Sequence, residues 1–317
     1  MGAHDAAYLN SSQWETTISY RYLNSENVFI GTDEQPQVKE AGREPRHTRH
    51  SIDLSVRYAF NQRLSATFTA PLIHQSTTFP IGGVRQDIST GLMLGDIRVQ
   101  GGLWLFNPLK HPNGNLALGI GLKIPTGNEA ATVTPTFPDG PRTIAADIAD
   151  QPGDGGWGII LEGRWYQKAF LNTTAYASGF YLFNPRNTND VEPLVLIFPL
   201  YENSHFLTSV PDQYGARAGL SFPLWPDKGL SLSAGGRIIG VPVTDAVGGS
   251  DGFRRPGYVI SLEPGITWSA AGNILSVSAP VAIKRSVLTS KLDESLGVQT
   301  AGGQAGFLIL ASYSQLF

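Results

Sequence analysis

Apolar and polar residues alternate with a period of two along most of the chain. Near the amino end, Ile18 and Tyr20 alternate with Thr17, Ser19 and Arg21. Because successive side chains of a β-strand point to opposite faces, this alternation predicts strands with one apolar and one polar face. The same rule predicts twelve strands, at 14–22, 52–60, 64–72, 92–106, 115–125, 157–166, 170–183, 213–224, 230–241, 257–269, 274–285 and 305–317.

The connections between these strands alternate in length. Short ones are predicted at 61–63, 107–114, 167–169, 225–229 and 270–273. They alternate without exception with long segments such as 24–50, 127–156 and 184–212. This layout, with strands of about 9 to 11 residues or more, is typical of outer-membrane barrels. We therefore expect an all-β fold in which residues 1–317 form one domain, a twelve-stranded antiparallel transmembrane β-barrel with short periplasmic turns and long external loops.

The distribution of charge separates a membrane barrel from a soluble β-sandwich or propeller. A sandwich also has one dry face, but it does not predict which face carries the charges of a closed lumen. Here the apolar faces carry no charge except at Arg285, which sits at a strand end, and the polar faces carry thirteen charged residues that we expect to line a pore. These are Glu15, Arg21, Asp53, Arg57, Asp96, Arg98, Lys123, Glu162, Arg164, Arg217, Arg237, Glu263 and Lys284.

Aromatic residues cluster at the ends of the predicted strands. All six tryptophans fall at strand ends or in the adjoining turns. A soluble core does not require this placement, because large rings there normally pack near the middle of the domain. Two aromatic girdles, one at each membrane surface, explain it.

Composition excludes several functional classes. Only 15% of residues are charged, well below the roughly 25% that is usual for soluble domains. The net charge is −3 and there is no long basic block, so we expect no nucleic-acid partner. The chain has no cysteine, which excludes disulfides and thiol catalysis. We expect no cofactor, no metal site and no spanning helix, and an amino terminus from which a signal peptide has been removed.

Three segments carry a resemblance to a known family. They are RLSATFTAPLI from Arg63, LMLGDIRVQGGLWLF from Leu92 and LALGIGLKIPTGN from Leu116. Their most distinctive parts are the Gly-Asp pair at 95–96 and the Pro-Thr-Gly strand exit at 125–127. In these parts the chain resembles outer-membrane transporters associated with meta-pathway phenol degradation. The resemblance implies a barrel in the outer membrane of a Gram-negative bacterium that passes aromatic or other apolar small molecules.

The carboxy-terminal strand ends in an aromatic residue. Tyr313 and Phe317 share one parity, as in the assembly signal of outer-membrane barrels, although Gln315 interrupts the apolar face. We therefore expect the barrel assembly machinery and outer-membrane lipid to be partners of this chain.

One loop is too apolar to lie free in water. The segment 191–201 has the sequence VEPLVLIFPLY. Either it folds into the barrel mouth as a constriction, or it docks on neighbouring loops, on lipid or on a partner. The residues that would form the constriction are Leu196, Ile197 and Phe198.

The functional prediction is a passive outer-membrane channel for small apolar or aromatic solutes. An alternative is a structural barrel that binds a protein partner through its long loops. A third hypothesis is a membrane enzyme in which His47 and His50 act with Ser51 and Asp53, but no second cluster supplies the orienting group that a triad needs. We expect a non-enzymatic protein with no catalytic residues.

Overall fold

The computed structural model describes residues 10–194 and 205–317. In these residues twelve antiparallel strands form one closed barrel, and each strand pairs with the next in sequence. The predicted all-β, twelve-stranded fold is confirmed. The strands are β1 (Trp14–Ser25), β2 (Arg46–Ala59), β3 (Leu64–Ile81), β4 (Val84–Leu94 and Ile97–Trp104), β5 (Gly114–Ile124), β6 (Gly158–Lys168), β7 (Thr174–Phe183), β8 (Gln213–Trp225), β9 (Leu230–Val241), β10 (Gly257–Ala270), β11 (Asn273–Ser278 and Val281–Val287) and β12 (Phe307–Leu316).

The barrel closes between its first and last strands. β1 pairs with β12 in a register that runs from Glu15 opposite Leu316 to Asn24 opposite Phe307. Closure leaves no unpaired sheet edge, as a barrel surrounded by lipid requires.

Two strands are interrupted. Both parts of β4 pair with β3, and the break falls at Gly95 and Asp96. Both parts of β11 pair with β10, and the break falls at Ala279 and Pro280. Proline has no N–H group to give to a ladder, which explains the second break.

The connection between β3 and β4 differs from the prediction. Residues 73–91 were expected to form a long loop, but the two strands continue to a tight turn at Gly82 and Gly83, whose φ angles are 59° and 83°. Positive φ at both positions is typical of a two-residue hairpin turn. The buried face of this extension carries Gln75 and Thr77, which are 1% and 2% exposed. Because polar residues occupy part of the buried face, the sequence here does not show the regular alternation of apolar and polar residues that predicts a strand.

The barrel is apolar outside and polar inside. Leu118 and Ile120 on the outward face of β5 are 50% and 63% exposed, whereas Glu15 and Glu263 inside are 6% and 2% exposed. This reverses the arrangement of a soluble domain and is typical of a barrel in lipid.

The long connections carry short elements of their own. The strand Asn27–Ile30 pairs with Asp33–Glu34 and with Ala301–Gln304, which joins the first loop to the last. Within the described residues, no helix is long and apolar enough to cross a membrane. The other short elements are strands Thr132–Val133, Thr136–Phe137, Gly140–Pro141 and Ile144–Ala145, helices α1 (Pro36–Glu40) and α2 (Lys291–Ser295), and 3-10 turns Ile148–Asp150, Phe170–Asn172 and Pro226–Lys228.

Candidate functional site

The barrel encloses a cavity of about 500 Å³. Its walls are the inward faces of the strands, to which every second residue of each strand contributes its side chain. Most of the charged residues that were predicted to face the lumen lie on these walls. Those that line the cavity are Glu15, Arg21, Asp53, Arg57, Arg98, Lys123, Glu162, Arg164, Arg217, Arg237 and Glu263.

Most of these charges are paired with one another. Arg57 lies 2.6 Å from Glu15, and Arg98 lies 2.9 Å from Asp53. Further along the wall, Arg164 lies 3.0 Å from Glu162. Paired charges produce short-range fields that fall off over a few ångströms, so the lumen is a set of dipoles and not a uniformly positive tube.

Glu263 is the centre of the most buried charge network on the wall. Arg237 donates two hydrogen bonds to its carboxylate, at 2.8 and 2.7 Å, and Ser278 donates a third at 3.0 Å. The guanidinium of Arg217 lies 3.7 Å from the same carboxylate and 5.2 Å from the ring of Tyr176. Two cations, one on β8 and one on β9, therefore share one carboxylate on β10.

Asp96 does not line the cavity, because it joins the break in β4 to the exit of β5. Its carboxylate accepts a hydrogen bond from the Gly127 N–H at 3.0 Å, while the Thr126 hydroxyl donates to the carbonyl of Gly95 at 2.8 Å. The two motifs that carry the family resemblance are thus in contact. Lys123 lies 3.8 Å from Asp96 and also binds Asp154.

Lys284 does not face the lumen as predicted. It lies opposite Ile260 on the outward face, and its ammonium group is 5.9 Å from the ring of Tyr258. The register between β10 and β11 shifts next to Ile260, so one extra residue of β11 exchanges the two faces. Arg285 takes the inward position, which explains why it broke the predicted pattern.

The histidines of the enzyme hypothesis lie on opposite faces of β2. His47 faces inward and its Nδ1 is 2.6 Å from the hydroxyl of Thr77. His50 faces outward and its Nδ1 is 2.8 Å from the hydroxyl of Tyr20. Ser51 accepts a hydrogen bond from Arg49 at 3.3 Å. The two histidines therefore do not meet at one site.

Loop 125–157 is held in place by a network of contacts that no pattern in the sequence indicates. Asp147 of this loop is 6% exposed and accepts two hydrogen bonds from Arg255, at 2.6 and 2.8 Å. Asp150 binds Thr77 of β3 and lies 3.6 Å from His47 of β2. Because Arg255 precedes β10, the loop is fixed to widely separated parts of the barrel rim.

Two of the other long loops are also joined by buried charge. Arg254 is fully buried and donates to both oxygens of Asp245, at 2.7 Å each. Asp245 in turn accepts the N–H of Asp212 at 2.9 Å, and Asp212 accepts the N–H of Asn184 at 2.7 Å. These bonds connect loops 184–212 and 242–256.

The apolar segment 191–201 is described only in part. Leu194 is 5% exposed and packs against Phe79 and Ile81 at the tip of the β3–β4 hairpin, with Ile144 of loop 125–157 beside them. This part of the segment docks on neighbouring elements. Outside the described residues lie the three predicted constriction residues, Leu196, Ile197 and Phe198.

Replacing Asp147 with Asn is expected to weaken the attachment of loop 125–157 by about 1.5 to 3 kcal/mol, because Arg255 loses a charged acceptor. Burial raises the pKa of Asp147, but the Arg255 guanidinium outweighs this and holds the pKa well below its ordinary value. A carboxyl with a lowered pKa stabilises the fold above its unfolded-state pKa of about 3.9, and this contribution is lost as pH falls through the folded-state pKa. Protease cleavage within the loop should therefore rise in the variant at neutral pH, and in the wild type only below about pH 4.

A control for this prediction lies in the same loop. Asp139 pairs with Arg142, and both side chains are more than half exposed. Exposed pairs of this kind contribute little, so Asp139→Asn should leave cleavage unchanged. Equal cleavage of the Asp147→Asn variant and the wild type would contradict the role given to Asp147.

Comparisons with known proteins show that this chain is similar in fold to solved structures. No protein-family model matches the chain, and no curated protein matches it. The COG4313 outer membrane channel from Pseudomonas putida F1 superposes over 99% of this chain and 98% of its own, with a TM-score of 0.67 and 14% identity. The P. putida toluene transporter TodX covers 98% and 91%, with a TM-score of 0.44 and 10% identity. The translocator domain of autotransporter NalP from Neisseria meningitidis covers 99% and 90%, with a TM-score of 0.46 and 10% identity. The first comparison assigns to this chain the fold of an outer-membrane β-barrel along its whole length.

Proposed function

We propose that this protein is a passive channel for small molecules in the outer membrane of a Gram-negative bacterium. The observation that carries the proposal is the combination of an exposed apolar outer face with a polar, charge-lined cavity of about 500 Å³ inside a closed barrel. A polar interior within an apolar band is the arrangement of barrels that conduct solutes. The similarity in fold to a COG4313 outer membrane channel supports the same function.

Small apolar or aromatic molecules are the proposed solutes. Besides charged groups, the cavity is lined by Ile160, which lies directly opposite Leu182, and by Phe180. Apolar walls with a few polar groups are typical of sites for small organic molecules. The more specific link to phenol degradation rests on the sequence resemblance around Gly95 and Pro125.

The proposed orientation places the short turns in the periplasm and the long loops outside the cell. Outer-membrane lipid then contacts the outward faces, and the barrel assembly machinery recognises the last strand. Phe317 is 62% exposed, and its N–H donates to the carbonyl of Trp14 at 2.9 Å, next to the outward Tyr313. Normal membrane insertion of a chain without Phe317 would contradict this role.

A structural barrel that binds a protein partner is the second candidate function. It is favoured by the buried ion pairs that order the long loops, Asp147 with Arg255 and Asp245 with Arg254. Ordered loops provide a fixed surface for recognition.

Recordings from planar lipid bilayers separate the two functions. A channel should give discrete current steps that are absent from protein-free bilayers. The Asp147→Asn variant should change the size or lifetime of these steps, because it loosens a loop at the rim. A correctly folded barrel that gives no steps would contradict the channel and leave the partner-binding barrel as the better explanation.

A further inference from the structure

The cavity wall carries more basic than acidic residues. Among the described residues that line the cavity, seven are basic and four are acidic. Each of the four carboxylates already binds an arginine, while Lys123 binds Asp154 and Arg217 shares Glu263. Arg21 is the basic lining residue that forms no ion pair with any described residue. The four carboxylate pairs are Glu15 with Arg57, Asp53 with Arg98, Glu162 with Arg164 and Glu263 with Arg237.

Arg21 projects into the lumen from the inward face of β1. Its side chain is exposed although it lies inside the barrel. Across the two ladders of β1, its direct neighbours are Leu310 on β12 and Ser51 on β2. Asp53 attracts Arg21 electrostatically, but the residue that donates a hydrogen bond to the Asp53 carboxylate is Arg98, at 2.9 Å.

A second cation lies beside Arg21. Arg49 is on the same inward face of β2 as Ser51, and its Nε donates to the Ser51 hydroxyl at 3.3 Å. The two guanidinium groups repel each other. Asp53 and Asp150 attract Arg49 electrostatically, but within the described residues Arg49, like Arg21, forms no ion pair. Two neighbouring like charges on the inward faces of β1 and β2 favour the binding of an anion between them.

Apolar side chains adjoin these cations. Leu308 and Leu310 line the cavity from β12, directly next to β1, and Ile160 and Leu182 line it from β6 and β7. A cavity of about 500 Å³ lies within the range of about 300 to 1,000 Å³ that holds small organic ligands. Guanidinium groups bind carboxylates through two parallel hydrogen bonds, with more specificity than a lysine offers.

We propose that Arg21, together with Arg49, binds the carboxylate of a small amphipathic acid inside the lumen, with the aromatic or aliphatic part of the acid against Leu308 and Leu310. The inference rests on the proposed channel function in one respect, because the site lies on the path of the solute only if the barrel is a channel. It narrows the solute class from small aromatic molecules to those that carry an acidic group.

The test is calorimetric titration of the intact barrel, in a non-ionic detergent, with benzoate and with neutral benzyl alcohol. The Arg21→Gln variant should bind benzoate at least about tenfold more weakly than the wild type, since a charge-assisted contact is lost. Arg21→Lys should retain part of the affinity for benzoate. The affinity for benzyl alcohol should be the same in the wild type and in all variants. Lys284→Gln is the matched control, because it removes the same charge from the outward face and should have no effect.

A second variant is expected to change the affinity for benzoate in the opposite direction. Asp53→Asn removes the carboxylate that competes for Arg21 and releases Arg98, so benzoate affinity should rise. Unchanged benzoate binding in folded Arg21→Gln, or no increase in Asp53→Asn, would overturn the proposal. Benzoate binding by a barrel that passes no solute would leave the site intact and contradict the channel. Passage of neutral solutes without benzoate binding would contradict the anion site and leave the channel function intact.

Discussion

Replacing Glu263 with glutamine is expected to lower the free energy of unfolding by about 3 to 5 kcal/mol, the usual cost of removing one partner from a buried ion pair. Glu263 is 2% exposed and holds both Arg237 and Arg217. Its loss takes away the carboxylate that two neighbouring cations inside the barrel share. Denaturant titrations of the protein folded into lipid vesicles measure the change.

The control is an exposed acidic residue of the same type. Glu26 pairs with Lys39 at 3.1 Å, with both side chains more than 40% exposed, so Glu26→Gln should cost less than about 1 kcal/mol. The double variant Arg237→Gln with Glu263→Gln should recover part of the loss, because one of the two cations that share Glu263 is removed together with it. A cost below about 1 kcal/mol for Glu263→Gln would show that water in the lumen screens this network.

Replacing Leu118 with arginine is expected to cost about 2 to 4 kcal/mol, the measured range for a charge on the lipid face near the bilayer midplane. Leu118 is 50% exposed at the middle of β5, opposite Leu103 on β4 and Gly163 on β6. No described acidic residue shares this face of β5, so the new charge has no partner there. Folding titrations in lipid vesicles measure this change as well.

Gln100 offers a matched position for the same new charge on the inside of the barrel. Its side chain lines the cavity, and its Nε2 donates to Glu162 at 3.2 Å. Gln100→Arg should therefore be tolerated far better than Leu118→Arg, because the guanidinium gains both water and a carboxylate. The reverse order of the two costs would mean that the inner and outer faces of β4 and β5 have been exchanged.

Period-two alternation was sufficient to predict the barrel because lipid imposes it on the outer face of every strand. It failed where that constraint is absent. Beyond Leu72 the β3–β4 hairpin rises into the loop layer, where Gln75 and Thr77 are buried by other loops and not by lipid. It also failed at Lys284, because the register shift next to Ile260 depends on pairing with another strand and leaves no local signal.

The charged wall was predicted as a set of residues but not as a set of pairs. Parity along one strand places Arg98 and Asp53 inside, whereas their contact joins residues 45 positions apart and depends on register across the barrel. The attachment of Asp147 to Arg255 spans 108 positions and involves two loops without periodicity. That Arg21 has no ion-pair partner among the described residues, on which the proposed anion site depends, becomes visible only after these contacts are known.

Flux of small solutes into vesicles that contain the purified barrel tests the central claim most directly. The solutes are phenol, benzoate and a neutral sugar of similar size, and the reference is protein-free vesicles, because phenol also crosses lipid on its own. A channel for small aromatic molecules predicts protein-dependent entry of benzoate and added entry of phenol, each faster than entry of the sugar. Entry of all three at the rates of protein-free vesicles, with the barrel shown to be folded, would contradict it.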